Sequence, residues 1–237
     1  MTKLRGLSLF SGIGGLDLAF EWASGEVKAM CEIEPYCRKV LHKHWPNITI
    51  FEDIKELKGT DVGAVDIIYG GFPCQPFSVA GKQKGKEDSR YLWPEFSRLV
   101  GEIKPLWVVA ENVSGILRIA AEDVCRDLES KGYAVGIWDF EAAAVGAKHR
   151  RERVFFVAHA GRSLQSGSFK QGTIQNENRE KTSYQFERPS RQWELEPGLD
   201  RVAYGVSYRV DRLRALGNAV VPQQAYPIFR AIMETMK

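Results

Sequence analysis

Five short stretches of this chain hold residues whose types and spacing could do chemistry. In Phe10-Ser-Gly-Ile-Gly-Gly-Leu-Asp17, an apolar run meets a helical pattern. Gly12, Gly14 and Gly15 let the backbone approach a ligand closely, and the helix start offers it free N–H groups. Glu32 follows Gly12 by 20 residues at the end of the next apolar run. That spacing suits a carboxylate bridging the ribose hydroxyls of an adenosine-containing cofactor. It is not G-x-G-x-x-G, so a nicotinamide dinucleotide stays open but disfavoured, and alone such a turn can equally be tight packing. In Gly70-Gly-Phe-Pro-Cys-Gln-Pro-Phe-Ser78 a thiol, Cys74, stands between two prolines on a stiff turn. Cys31, Cys37 and Cys125 fall inside strand or helix patterns and read as small buried hydrophobes.

The other three stretches are weaker taken singly. Glu111, in Ala110-Glu-Asn-Val113, can protonate a ring nitrogen or pair with an exocyclic amine; an isolated Glu is more often a cap or a solvated carboxylate. Lys148-His-Arg-Arg-Glu-Arg153, if extended, puts His149, Arg151 and Arg153 on one face, where guanidinium groups could hold a phosphate or carbonyl oxygen. A solvated basic edge strand is the alternative. Gly217 and Asn218 read as a turn ahead of the last helix, with Asn218 a cap or an amide donor.

These residues need elements to position them. Leu4–Phe10, Val27–Glu32, Ile48–Phe51, Val65–Tyr69 and Leu106–Ala110 read as strands. Leu16, Ala19, Phe20 and Ala23 form a helical stripe. Further helices are expected over Glu34–His44, Tyr91–Ile103 and Glu122–Lys131, the last ending at Gly132. Tyr133–Phe140 and Arg153–His159 look like a closing pair of strands. Ala225, Ile228, Phe229, Ile232 and Met233 mark a terminal helix with Pro222 and Pro227 at or near its start. Strands alternating with helices predict an α/β domain with a doubly wound, mostly parallel sheet, whose ligand crevice lies at the carboxyl ends of the strands. That would bring the glycine turn, Cys74 and Glu111 to one place.

Composition bounds the rest. The 237 residues are 44% hydrophobic and 27% charged, which excludes global disorder. No apolar run approaches the ~20 residues of a membrane span, and Leu7–Phe10 is too short for a secretory segment. Without a secretion signal the four cysteines read as reduced thiols, with no zinc pattern. A net charge of +3 permits a nucleic-acid partner without arguing for one. Between Ser163 and Pro197 only seven of 35 residues are hydrophobic, too few for a core of their own.

In order, Phe-x-Gly-x-Gly-Gly, Pro-Cys-Gln, Glu-Asn-Val, Arg-x-Arg and Gly-Asn-x-Val-x-Pro resemble the DNA (cytosine-5) methyltransferase family, over about Leu4–His159 and Arg209–Ile232. The resemblance implies an S-adenosylmethionine-dependent fold and transfer of a methyl group to C5 of cytosine in double-stranded DNA. Phe10, Gly12, Gly14 and Asn218 would hold the methionine end of the cofactor, Glu32 its ribose, and Ile33 and Asp53 its adenine, with Gly15 and Ile54 also at the cofactor. Cys74 would be the nucleophile, Glu111 the acid at N3, and Arg151 and Arg153 the partners of the cytosine carbonyl and backbone. The target base must leave the duplex, and Lys82, Lys84, Lys86 and Arg90 are placed in sequence to close over it.

His149 departs from the Gln many members carry, and Ala219 from a hydroxyl residue. Residues 160–205 are short for a target-recognition domain, as in phage or prophage members. The implied organisation is a catalytic part at 1–159, an abbreviated recognition region at 160–205, and a returning segment at 206–237. The expected protein is a metal-free monomer of the cytoplasm, nucleoid-associated in a bacterial host, with a cognate restriction enzyme as a further partner. The same chemistry on structured RNA and a non-catalytic cofactor- or DNA-binding remnant are the alternatives.

Overall fold

The computed structural model describes residues 3–73, 91–161 and 209–236. In chain order these form β1 (Arg5–Leu9), α1 (Gly15–Trp22), β2 (Glu26–Cys31), α2 (Pro35–His44), β3 (Thr49–Phe51), α3 (Gly59–Val62) and β4 (Ile67–Gly71). Then come α4 (Trp93–Ile103), β5 (Trp107–Val113), α5 (Ile116–Ile119), α6 (Ala121–Ser130), β6 (Ala134–Phe140), β7 (Arg153–His159), α7 (Arg209–Asn218) and α8 (Pro222–Thr235).

The strands make one seven-stranded sheet in the order β3-β2-β1-β4-β5-β7-β6. From β3 to β5 every pairing is parallel; β7 runs antiparallel to both β5 and β6. The expected closing pair is therefore a β6–β7 hairpin whose second strand inserts beside β5. The chain order reverses at β1, where successive connections pass to opposite faces, so the carboxyl ends of β1 and β4 flank a switch-point crevice.

Strand alternation divides the core in two. Leu7, Leu9, Ile68, Val108, Ala110, Val154, Phe156 and Ala158 face one layer, packed against Trp93, Phe96, Leu99 and Val100 of α4 and Val124 and Leu128 of α6. Met30, Ile67, Tyr69, Val109, Phe155 and Val157 face the other, against Leu16, Ala19 and Phe20 of α1, Leu41 of α2, and Ala225, Ile228, Phe229 and Ile232 of α8. Central strands buried on both faces explain why Leu7–Leu9 and Ile67–Tyr69 read as near-continuous apolar runs. Phe20, Tyr69 and Phe229 form an aromatic cluster, with ring centroids 4.9, 5.2 and 5.2 Å apart, that fastens α8 to α1 and the sheet.

Two expectations are corrected. Gly217 and Asn218 are not a free turn but the end of α7. That helix lacks a buried stripe: Val210, Leu213 and Leu216 are 76, 50 and 56% exposed, so apolar periodicity could not announce it. Arg151 and Arg153 do not share a strand face, because β7 starts at Arg153 and Arg151 is left-handed at φ 34°, which ends the alternation. Ile54, expected at the cofactor, packs in the core.

Candidate active site

The sheet delivers Glu111 to the wall of a crevice. In the parallel register of β4 and β5, Glu111 stands beside Gly71, and across the antiparallel pair Val113 stands opposite Arg153. Glu111 and Arg153 are thus diagonal neighbours on one face. Arg153 Nε lies 2.7 Å from Glu111 Oε1 and both side chains are nearly buried. Glu111 Oε1 nevertheless has no hydrogen-bond donor aligned with it, so the contact is an ion pair without a directed bond. Burial pushes the Glu111 carboxyl up to about 7, against the downward pull of Arg153 and Arg151. A Cβ on residue 71 would sit 2.6 Å from Glu111 Oε2, so glycine is what makes room for this carboxyl.

The opposite wall is the turn from β1 into α1. Phe10, Gly12 and Gly14 take left-handed φ values of 53, 57 and 90°, so the chain doubles back and aims the free N–H groups of α1 at the crevice. With segment 218–220, Gly71 and Glu111, this turn lines an open cleft. Gly15 and Asn218, both expected at a cofactor, line it. Gly14 packs under the Trp45 ring, which would lie 2.3 Å from any Cβ there. Trp45 Nε1 donates to Glu21 Oε1 at 2.8 Å, tying the end of α2 to α1.

Glu32 follows the end of β2 and is nearly buried. Its Oε2 accepts the Gly12 N–H at 2.7 Å and its Oε1 the Glu34 N–H at 2.8 Å. Burial raises its pKa, and those two N–H bonds oppose the rise. Beside it Ile33 is 60% exposed, an apolar face turned outward. Asp53 caps the next loop, its Oδ1 accepting the Lys55 N–H at 2.9 Å. An adenosine-containing cofactor fits these residues on one direct observation: a Cβ on Gly12 would meet nothing within 4 Å, so that backbone faces open space.

Arg151 binds main-chain carbonyls. Its Nη2 donates to the carbonyls of Gly217, at 2.7 Å, and Ala219, which clamps the segment bearing Asn218 onto the start of β7. Cys74, Lys82, Lys84, Lys86, Arg90 and nearly all of region 160–205 lie outside the described residues. Among the described residues no cluster of His, Cys, Asp or Glu could hold a metal ion, and no helix is long and apolar enough to cross a membrane.

Four positioning residues were not singled out in the sequence, three of them outside every motif. Arg38 Nη1 donates to the carbonyls of Glu32 and Ile33 at 3.1 and 2.6 Å. Arg98 Nη2 holds those of Ile54 and Leu57 at 2.8 and 2.9 Å, next to Asp53. Gln224, fully buried on α8, donates to Phe140 and Arg151 carbonyls at 2.8 and 2.9 Å. Asn112 Nδ2 donates to the Phe72 carbonyl at 3.1 Å, two residues before Cys74 in sequence. Only Asn112 carried a signal, its adjacency to Glu111.

The family model for C-5 cytosine-specific DNA methylases matches residues 4–199. The chain belongs to that family. Family members are S-adenosylmethionine-dependent methyltransferases. Among curated relatives, Type II methyltransferase M.FnuDI of Fusobacterium nucleatum is 38% identical over 64% of this chain and 45% of its own length. Type II methyltransferase M.NgoMIV of Neisseria gonorrhoeae is 37% identical over 66% of this chain and 52% of its own. The chain thus spans about half the length of the curated relatives it matches. A prophage-encoded E. coli protein described as a candidate DNA modification methyltransferase superposes with a TM-score of 0.58 at 30% identity, covering 66% of this chain and 47% of the other. DNMT2 of Spodoptera frugiperda shares the fold at a TM-score of 0.59 and 23% identity, over 71% and 53% of the two chains.

Proposed function

We propose that this methyltransferase-family protein moves a methyl group from S-adenosylmethionine to C5 of a cytosine flipped out of duplex DNA, through a covalent adduct between Cys74 and C6. The observation that carries this reading is the buried Glu111 carboxyl, paired with Arg153, in the wall of the glycine-lined cleft. A half-protonated acid at neutral pH is what a ring nitrogen needs in order to accept a proton during attack. Names of relatives such as the Type II methyltransferases and the prophage-encoded candidate DNA modification methyltransferase support DNA as the substrate.

In this mechanism the Cys74 thiolate adds to C6 while Glu111 gives its proton to N3, so electron density gathers at C5. The bound cofactor supplies an electrophilic methyl. Once C5 carries the methyl, loss of the C5 proton to water in the open cleft expels the thiolate from C6, and N3 returns its proton to the Glu111 carboxylate, which restores both the aromatic ring and the acid. Arg153 holds Glu111 in place and keeps a positive charge beside the pyrimidine. The glycine turn, Glu32, Ile33, Asp53 and Asn218 would hold the cofactor by N–H donation, ribose contact and apolar cover. Lys82, Lys84, Lys86 and Arg90 would meet phosphate, and residues 160–205 would stand in place of a recognition domain.

The test is transfer of tritiated methyl groups to duplex DNA, with tRNA incubated in parallel. Cys74→Ala should abolish transfer and the covalent complex on DNA containing 5-fluorocytosine. Undiminished transfer by that variant would end the mechanism, and transfer to tRNA alone would move the substrate to RNA.

A further inference from the structure

Asp17 is a titratable group that the mechanism leaves unused. It lies on the first turn of α1, two residues beyond Gly15, and is fully buried. Tyr69 donates its hydroxyl to Asp17 Oδ1 at 3.0 Å, and Oδ2 has no donor. The Tyr69 ring is held between Phe20 and Phe229. An ionised carboxylate with one donor in so apolar a setting is costly, and burial pushes this carboxyl up to about 7. The groups that face it are few. Glu21 on α1 adds a like charge, Tyr69 comes from β4, and the Ser8 hydroxyl comes from β1. Ser8 Oγ in turn accepts from Ser11 Oγ at 2.8 Å, and Ser11 lines the cleft.

We propose that Asp17 is a positioning residue for the glycine turn, a buried carboxyl that ties the start of α1 to Tyr69 on β4 and, through Ser8, to Ser11 in the cleft wall. When it carries a proton, the carboxyl can both accept from Tyr69 and donate toward Ser8, so three elements share one directional network. β4 continues from Tyr69 into Gly70 and Gly71 beside Glu111. The network therefore fixes the spacing between the two walls of the cleft. An apolar residue at 17 would fill the space but leave the Tyr69 hydroxyl and Ser8 without that partner.

The consequence for ligand affinity rests on the reading of the cleft as a cofactor site, so the primary measurement uses the ligand-free full chain. Amide hydrogen exchange over residues 11–16 should speed up about 10-fold in Asp17→Ala and stay within about 3-fold of wild type in the isosteric Asp17→Asn. Tyr69→Phe keeps the ring packing and removes only the donor. It should speed exchange by a smaller factor, and it decides the matter if Asp17→Ala does not fold.

Calorimetry with S-adenosylhomocysteine should show affinity falling about 10-fold in Asp17→Ala and recovering in Asp17→Asn. Wild-type protection of the turn in Asp17→Ala, or in Tyr69→Phe if the former fails to fold, overturns the proposal. So does Asp17→Asn behaving like Asp17→Ala. Failure of the wild type itself to bind would overturn the cofactor reading and leave the exchange result to judge Asp17.

Discussion

Glu111 is pulled two ways: burial favours its neutral form, and Arg153 at 2.7 Å favours the charged one. Burial wins, and the carboxyl titrates at about 7. Methyl transfer that depends on its proton should therefore fall as pH rises through about 7, and Glu111→Gln should lose that limb. The same substitution should lower the single-turnover rate by roughly 10²–10⁴-fold, the usual range for a lost general acid; pH–rate profiles of both proteins check this. Gly71→Ala would place a methyl 2.6 Å from Glu111 Oε2. It should depress turnover far more than it shifts the melting temperature, since the carboxyl must swing aside; paired kinetic and thermal measurements separate the two.

Elements reach the site through carbonyls held by distant side chains. Arg38 on α2 fixes the backbone of Glu32 and Ile33 from one turn away, with Glu52 at 3.2 Å steadying its other nitrogen. Arg38→Met keeps the aliphatic stem and removes the donors. It should weaken S-adenosylhomocysteine binding about 10-fold by calorimetry, with little change in rate at saturating cofactor. Gln224 does the corresponding work for the strand pair, joining the end of β6 to the residue before Glu152. Neither role could be read from the motifs. Arg38 and Gln224 lie outside them, and a donor's target depends on which loop the fold brings beneath it. The glycine turn and the strand-end carboxylate at 111 were legible because both are local demands, while Cys74 lies outside the described residues. The shared face expected for Arg151 and Arg153 failed on one dihedral angle that no residue type announces.

At the scale of the molecule, the sheet is secured by two helical layers, and α8 closes one of them from the far end of the chain. Phe229 is completely buried between α1 and the sheet. Phe229→Ala should cost about 3–5 kcal/mol, measured by urea unfolding, and should loosen the cleft because segment 218–220 leads into α8. Stability should also depend on pH in a defined direction. Asp17 and Glu111 both have folded pKa values raised to about 7 from ordinary values near 4. Their neutral forms stabilise the fold fully below about pH 4, and that contribution is lost as pH rises through about 7. Asp17→Asn should melt higher than wild type at pH 8 and converge with it at pH 4.

The amino-acid sequence by itself determined the strand–helix alternation, the buried central strands and the order of the reactive motifs. Each follows from periodicity or from a residue type that few local conformations accept. Tertiary structure alone decided that β7 inserts beside β5, that Arg151 clasps the Gly217 and Ala219 carbonyls, and that Glu111 and Asp17 are buried deeply enough to hold protons near neutrality. Those outcomes depend on long-range neighbours and on exclusion of water, which a linear pattern of residues does not encode.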